Sequence, residues 1–198
     1  MAKRPGTLTV ITGPMYCGKS ELLIRTLNDS VSSGTQTLAF RPAADDRSAL
    51  GFIESRDGTR FPAEIIERDI DIGLHVSRVF RHANSRLLIG VDEVQMFGPT
   101  LVSLLNGFAQ LGIDVVASGL DTDYRGWPCG IVPQLLAMAD VVIKRTAVCA
   151  VCGGPATRSQ IKVPVPKNPP PGFFVDTDGD KYEARCRVCH VYDSLDPL

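Results

Sequence analysis

A glycine-rich segment near the start of the chain has the residue types and spacing of a phosphate-binding loop. The pattern Gly-x-x-x-x-Gly-Lys-Ser/Thr is matched by consecutive residues, namely Gly13, Pro14, Met15, Tyr16, Cys17, Gly18, Lys19 and Ser20. The glycines let successive backbone N–H groups converge on phosphate oxygens, and a following helix adds its positive N-terminus. In such loops the lysine binds the β- and γ-phosphates and the hydroxyl binds magnesium. We therefore predict that this segment binds ATP and Mg²⁺.

A second chemical feature is a pair of carboxylates, Asp92 and Glu93, directly after the apolar run Leu87–Val91. The carboxyl end of a parallel strand faces the crevice in which α/β proteins bind ligands. We expect Asp92 to help hold magnesium there. Glu93 could activate water, as in an ATPase, or accept a proton from a substrate hydroxyl, as in a kinase. The two motifs alone leave both reactions open.

Four of the six cysteines form two pairs with the spacing Cys-x-x-Cys, namely Cys149 with Cys152 and Cys186 with Cys189. Such pairs are typical of a tetrahedral structural zinc site, and we predict four thiolate ligands to Zn²⁺. His190 is an alternative fourth ligand in place of Cys189. The metal would fasten the two ends of residues 153–185, a segment that we call the lasso. A loop fastened only at its base could fold over a bound substrate as a lid.

Alternating apolar segments predict the elements that position these residues. Short apolar or β-branched runs predict strands at 7–12, 35–40, 87–91, 115–120 and 141–148. Apolar residues at helical spacing predict helices at about 19–32, 74–81, 101–110 and 134–139. Strands that alternate with helices favour right-handed crossovers and a mainly parallel sheet. We predict an α/β fold, a P-loop NTPase-like parallel sheet with helices on both faces.

The character of the sequence changes after Cys149, where prolines interrupt any helical or strand periodicity. We predict a nucleotide-binding domain over 1–148 and a small zinc-ribbon or lasso domain, with the C-terminal tail, over 149–198. The second segment is expected to have no hydrophobic core, so that metal binding takes its place.

The composition excludes several classes of protein. The chain has 198 residues, 44% of them hydrophobic and 22% charged, as in an ordinary globular protein. Its 21 Lys and Arg residues are balanced by 22 Asp and Glu residues, without the basic excess of proteins that bind nucleic acid mainly through phosphates. No apolar run approaches the roughly 20 residues that span a bilayer, and no secretory signal is recognised. We expect a cytoplasmic protein with reduced cysteines and with neither a membrane nor a nucleic acid as partner.

The order of the motifs adds a resemblance to a known family. It rests on the phosphate loop at 13–20, Asp-Asp-Arg at 45–47, Asp-Glu-Val-Gln-Met-Phe at 92–97, Gly-Leu-Asp-Thr-Asp-Tyr-Arg-Gly at 119–126, and the cysteine segments at 149–152 and 182–190. From about Thr7 to His190 the chain resembles the zinc-containing, cytosolic type of thymidine kinase. The resemblance implies ATP-dependent phosphorylation of the 5′-hydroxyl of thymidine, and of deoxyuridine, in nucleotide salvage by a homotetramer. A P-loop ATPase whose zinc ribbon binds nucleic acid or a protein partner is the alternative.

The resemblance also implies roles for individual residues. Glu93 becomes the general base, Arg47 lies near the phosphates, and Gln95 joins Asp92 beside the nucleotide. The pocket around the nucleoside is implied at Met15, Met96, Leu120, Tyr124 and Ser159, with Tyr182 near the sugar. The lasso is implied to approach the pyrimidine through Val175, Asp176, Thr177 and Asp178. The family usually has two glycines in this stretch, so the side chains here could change how closely the loop approaches the base.

Cys17 is a further departure, because the family usually has serine at this place in the phosphate loop. The residue precedes a predicted helix, and a helix N-terminus lowers the pKa of a thiol. We therefore expect Cys17 to react with oxidants or alkylating reagents and ATP to protect it.

Overall fold

A sheet of parallel strands forms the body of the protein. The computed structural model describes residues 4–45, 51–80, 86–165 and 179–191. The strands of the described residues are Leu8–Thr12 (β1), Gln36–Pro42 (β2), Phe52–Glu54 (β3), Arg60–Pro62 (β4), Glu64–Ile66 (β5), Leu87–Val91 (β6), Asp114–Gly119 (β7), Val141–Lys144 (β8), Ala147–Val148 (β9), Pro155–Ala156 (β10), Arg158–Ile161 (β11) and Tyr182–Arg185 (β12). The main sheet has six strands in the order β5-β2-β6-β7-β1-β8, and every neighbouring pair is parallel.

Helices cover both faces of this sheet, as the sequence predicts. They span Lys19–Ser32 (α1), Asp69–Val79 (α2), Thr100–Gln110 (α3) and Val132–Met138 (α4). Successive residues of β1 point to opposite faces, so Ile11 packs with Leu23 and Leu27 of α1, whereas Val10 belongs to the cluster that contains Leu101 and Leu105 of α3. Within the described ranges, no helix combines the length and apolar character needed to cross a membrane.

The strand order brings the predicted chemistry to one edge of the sheet. β1 lies next to β7, and β7 lies next to β6. The phosphate loop follows β1, and Asp92 and Glu93 follow β6. Because all these strands are parallel, their carboxyl ends open on the same crevice.

Helix α2 is longer at its start than the apolar spacing predicts. It begins at Asp69 rather than near Leu74, and the predicted end at Arg81 lies outside the described residues. Its buried residues include Ile72 and Val76, a narrow apolar stripe that gives a weak periodic signal. The Asp69 carboxylate accepts the N–H of Leu101 at 3.2 Å and so connects α2 to the start of α3.

The predicted strand 141–148 is divided into two strands, which corrects that assignment. β8 ends at Lys144, and β9 pairs antiparallel with β10 in a separate ribbon. Arg145 lies between them and continues beside β1, because its N–H donates to the carbonyl oxygen of Thr12 at 2.7 Å. Apolar residues lie on both sides of Arg145 in the sequence, so the apolar pattern does not indicate that one strand ends here and another begins.

The segment after Cys149 is more ordered than its prolines suggest. β11 pairs antiparallel with β12, and the two strands lie near opposite ends of the lasso in the sequence. Ala156 and Ala184 are buried in a small cluster with Cys149, so the expectation that this segment has no core is wrong. Alanines and cysteines form this core, and neither residue type gives a recognisable apolar period.

Candidate active site

The phosphate loop joins the end of β1 to the start of α1. Its backbone is left-handed at Tyr16, with a φ of 67°, and at Gly18, with a φ of 75°. A side chain at Gly13 would not fit, because its Cβ would lie 2.3 Å from the carbonyl oxygen of Arg145. The segment therefore makes the tight turn into a helix that a phosphate-binding loop requires.

Lys19 is the cation of this loop. It is 9% exposed, and its Nζ donates a hydrogen bond to the carbonyl oxygen of Pro14 at 2.8 Å. The same Nζ lies 3.9 Å from Cys17 Sγ. The ammonium group thus lies inside the turn, where it would face phosphates bound to the N–H groups of the loop.

Asp92 is buried at the end of β6 and is held by three neighbours. Its carboxylate accepts hydrogen bonds from the Ser118 hydroxyl, from the Ser20 hydroxyl, and from the Glu93 N–H at 3.0 Å. Burial, and then the neighbouring charge of Glu93, raise the pKa of Asp92. The contact with Ser20 brings together a hydroxyl and a carboxylate, which are the oxygen ligands that Mg²⁺ prefers.

Glu93 is oriented by a neighbouring amide. It is 7% exposed and has a left-handed backbone, with a φ of 49°. Gln95 donates from Nε2 to the Glu93 carboxylate and accepts the N–H of Leu120 at its Oε1, the latter at 3.1 Å. The Gln95 side chain is buried, so this bridge fixes the Glu93 carboxylate against the end of β7.

The loop and the carboxylate open on one cleft. Lys19, Ser20 and Glu93 line a cavity of about 240 Å³ together with Met15 and Leu120. The structure therefore brings together the phosphate-loop and carboxylate motifs that lie far apart in the sequence. The hairpin of β3 and β4 also lines this cavity, through Glu54, Ser55, Arg56 and Asp57. No sequence pattern predicts these lining residues, because the hairpin carries no motif.

An apolar cluster adjoins the cleft at Met15. Met15 packs with Leu120, Cys129 and Tyr182, and Tyr124 lies partly buried against them. Four of these five residues are implied by the family resemblance, and Cys129 is the addition. Their side chains offer an apolar slot with two aromatic rings, as a flat heterocyclic ligand requires.

The other implied pocket residues have different surroundings. Ser159 accepts the N–H of Met15 at 2.9 Å, which ties β11 to the phosphate loop. Met96 is half-buried in a short 3₁₀ helix, Val94–Met96, and is not a member of the apolar cluster. The remaining implied residues lie outside the described ranges, and their roles stay predictions: Arg47, Val175, Asp176, Thr177 and Asp178.

The four predicted zinc ligands converge. The Sγ atoms of Cys149, Cys152, Cys186 and Cys189 all lie within 4.8 Å of one another. A tetrahedron with Zn–S bonds of about 2.3 Å places its sulfurs roughly 3.8 Å apart, so the set fits zinc. Backbone N–H groups, that of Cys152 foremost, lower the pKa of Cys149, which favours a thiolate at this position, whereas the hydrogen bond with Cys186 raises the pKa of Cys189.

The side chain of His190, the alternative fourth zinc ligand, contacts a backbone carbonyl group. Its Nε2 lies 2.7 Å from the carbonyl oxygen of Tyr124, so the ring connects the second cysteine pair to the residues around the apolar cluster. Burial lowers the pKa of His190. The geometry thus favours four thiolates over the alternative set with His190.

The surroundings of Cys17 argue against its expected reactivity, and the expected lowering of its pKa is wrong. The side chain is 4% exposed and packs with Cys149 and Ala184. Burial raises the pKa of Cys17, and the charges of Lys19 and Arg145 oppose this effect without overcoming it. Burial therefore outweighs the position before a helix.

Comparisons of the chain with a family model and with known proteins agree on one family. The family model described as thymidine kinase matches residues 6–190. The thymidine kinase of Deinococcus deserti is 41% identical and covers 96% of this chain and 98% of its own length. The thymidine kinases of Thermococcus kodakarensis and Mycoplasmoides gallisepticum are each 37% identical, covering 94% and 96% of this chain and 94% and 83% of their own lengths.

Proposed function

The chain belongs to the thymidine kinase family, and on that premise we propose that it transfers the terminal phosphoryl group of ATP to the 5′-hydroxyl of thymidine. Deoxyuridine is the second substrate of this proposal, and the 5′-monophosphate product serves nucleotide salvage. The observation that carries the proposal is that Glu93 and Lys19 line the same cleft. A base and a phosphate-binding cation that line one space can bring a hydroxyl and a phosphoryl group together for transfer.

The donor half of the reaction is assigned to the phosphate loop. Lys19 and the backbone N–H groups of residues 13–20 bind the β- and γ-phosphates, and the N-terminus of α1 adds positive potential. Ser20 and Asp92 would hold Mg²⁺, because their oxygen atoms already contact each other. The ion supplies charge neutralisation at the phosphates when it is bound. Arg47 belongs to this half as well, on the resemblance alone.

Glu93 is assigned the role of general base. Its carboxylate accepts the proton of the 5′-hydroxyl while the 5′-oxygen forms a bond to the γ-phosphorus and the bond to ADP breaks. The Gln95 amide keeps the carboxylate turned to the cleft, which reduces the reorganisation needed in the transition state. Gln95 thus contributes to catalysis through Glu93, in addition to the nucleotide contact that the resemblance implies.

The acceptor half is assigned to the apolar cluster. Leu120 and Tyr124 would surround the pyrimidine, with Met15 against its 5-methyl group and Tyr182 near the sugar. Ser159 and Met96 complete the proposed pocket, together with lasso residues 175–178. Contact with a single methyl group contributes only about 1–3 kcal/mol, so we expect deoxyuridine to be phosphorylated as well.

The zinc site is proposed to be structural. Four thiolates leave no coordination position open for a substrate, as in other structural zinc sites. The metal would hold the two ends of the lasso beside β11 and β12, and so keep Tyr182 at the apolar cluster. The same proposal includes that the enzyme is a cytoplasmic homotetramer and that neither a nucleic acid nor a membrane is its partner.

The proposal is tested by measuring ADP formation with magnesium and ATP in the presence of single deoxynucleosides. We expect thymidine, and more weakly deoxyuridine, to stimulate turnover, whereas purine deoxynucleosides do not. Stimulation by single-stranded DNA or RNA with none by nucleosides would instead support the ATPase alternative.

Glu93→Gln tests the role of the base. The variant should bind ATP like the wild type and lose turnover by about 10²–10⁴-fold, since a positioned general base contributes that much. Turnover near that of the wild type would exclude Glu93 as the base while leaving the substrate assignment intact.

A further inference from the structure

The cleft contains a second cation that neither the phosphate-loop pattern nor the family resemblance singles out. Arg56 lies between β3 and β4 and lines the same cavity as Lys19 and Glu93. We propose that Arg56 contacts the phosphoryl group during transfer and is a catalytic residue of this enzyme. This inference rests on the proposed function, because it needs a phosphoryl group between Lys19 and Glu93.

The contact with Tyr16 fixes the Arg56 guanidinium beside the phosphate loop. Arg56 Cζ lies 3.9 Å from the centroid of the Tyr16 ring, well inside the range of a cation–π contact. Tyr16 is itself a member of the phosphate loop. The loop that binds the donor phosphates therefore also holds Arg56 at the side of the cleft.

The lasso packs against both residues of this cation–π contact. The Tyr16 hydroxyl donates to the carbonyl oxygen of Tyr182 at 2.8 Å and approaches that of Gly179 as well. A Cβ at Gly179 would lie 1.7 Å from Arg56 Nη2, so the guanidinium lies directly against the backbone of the lasso at this residue. Arg56 is thus held between an aromatic ring and the backbone of the lasso.

The carboxylates of the same hairpin are engaged with other residues. Glu54 pairs with Arg60 at 2.8 Å, and Asp57 accepts hydrogen bonds from the Ser55 hydroxyl and from the Thr59 N–H, the latter at 3.1 Å. These contacts reduce the competition that the two carboxylates would offer to a phosphate. The hairpin can therefore present a cation to the cleft although it also carries two acidic residues.

The chemistry assigned to Arg56 is charge neutralisation. As the 5′-oxygen bonds to the γ-phosphorus and the bond to ADP breaks, Glu93 takes the proton and negative charge spreads over the equatorial oxygens. Arg56 donates hydrogen bonds to those oxygens and exchanges no proton. A planar guanidinium can bind two oxygens of one phosphoryl group through two parallel N–H donors, a rigid geometry that an ammonium group lacks.

Steady-state kinetics of Arg56→Ala and Arg56→Lys test the proposal, with Arg68→Ala as the control. Arg68 is an exposed arginine that pairs with Asp71 and is not among the residues that line the cleft. We expect Arg56→Ala to lose about 10²–10³-fold in kcat, the usual effect of removing a preorganised donor to the transition state, with the Kd for ATP changed by less than about threefold. Arg56→Lys should recover only part of the loss, and Arg68→Ala should stay within about twofold of the wild type.

Chemical rescue distinguishes a direct contact from a structural role. Guanidinium ions added to Arg56→Ala should restore a measurable part of kcat and should leave the wild type unstimulated. A kcat for Arg56→Ala within about threefold of the wild type would overturn the proposal, because it is far below the expected loss. Lost ATP binding together with a failure of rescue would also overturn it. Absence of thymidine phosphorylation by the wild-type chain would refute the proposed function itself, and this outcome is recognised without any variant.

The positioning role of Tyr16 gives a second test on the same enzyme. Tyr16→Phe keeps the ring under Arg56, whereas Tyr16→Leu removes it. We expect the leucine variant to lower kcat and the phenylalanine variant to retain more of it. Adding Tyr16→Leu to Arg56→Ala should lower kcat by a much smaller factor than in the wild type, because the two residues act as one unit. Independent, multiplicative losses would contradict this arrangement.

Discussion

Replacement of Gln95 by methionine tests how Glu93 is held in position. The side chains have similar lengths, but methionine has neither the amide donor nor the carbonyl acceptor. The substitution removes the hydrogen bond to the Glu93 carboxylate and the one from the Leu120 N–H, which is 3.1 Å long. Both partners are buried, so water replaces these contacts poorly.

The expected magnitudes follow from these two contacts. A buried N–H left without a partner costs about 1–3 kcal/mol, and a hydrogen bond to a charged group contributes roughly 1.5–3 kcal/mol, so the variant should lose about 2.5–6 kcal/mol of unfolding free energy. A displacement of the Glu93 carboxylate by about 1 Å should lower kcat on the order of 10²-fold.

The assay combines turnover, ATP affinity and denaturant unfolding. We expect kcat to fall and the Kd for ATP to stay near that of the wild type, because Gln95 contacts Glu93 rather than the phosphate loop. Gln134→Met is the matched control, since Gln134 is exposed on α4. An unchanged kcat would refute the positioning role, and weaker ATP binding with normal kcat would instead support the nucleotide contact implied by the resemblance.

A second variant perturbs the same bridge without changing its amide. A Cβ at Gly119 would lie 2.7 Å from Gln95 Oε1, so Gly119→Ala should displace the amide. We expect kcat to fall in the same direction as in Gln95→Met. A fully active alanine variant would show that the orientation of Gln95 is not critical.

Three further predictions concern zinc, Cys17 and packing. The purified protein should contain one zinc per chain and Cys186→Ser should lose it, as measured by elemental analysis; equal metal content in both would exclude the cysteine site. Cys17 should react with a thiol reagent only after unfolding, as peptide mapping would show, because it is buried and its pKa is raised; labelling of the native protein that ATP blocks would contradict this. Gly90→Ala should destabilise the protein by about 1–3 kcal/mol in denaturant unfolding through overpacking, because its Cβ would lie 2.7 Å from Leu27 Cδ2. Gly107→Ala in α3, where a Cβ meets nothing within 4 Å, is the control and should be neutral or stabilising; equal effects of the two substitutions would refute the packing argument.

Strand and helix assignments were accurate where the apolar pattern was continuous. The predicted bounds of α1 and β6 agree with the structure, because both elements bury side chains at a regular spacing. The start of α2, the hairpin of β3 and β4, and the strands β10 to β12 were not predicted. These elements are short or narrowly apolar, and their pairing partners are supplied by tertiary contacts.

The sequence by itself determined the chemistry that depends on contiguous residues. The phosphate loop, the carboxylates after β6 and the two cysteine pairs were all recognisable, because each chemistry demands fixed residue types at a fixed local spacing. Alternation of strands and helices then determined the parallel sheet that brings the carboxyl ends of β1 and β6 to one edge.

Only the tertiary structure decided which distant side chains support that chemistry. The bridge from Gln95 to the Leu120 N–H, the bond from Ser159 to the phosphate loop, and the place of Arg56 all join segments far apart in the chain. The pKa of the Cys17 thiol depends on tertiary structure in the same way. Burial by residues of the zinc-binding segment raises this pKa, and this effect outweighs the local position of Cys17 before α1. Such effects depend on three-dimensional proximity and desolvation, which no local spacing encodes.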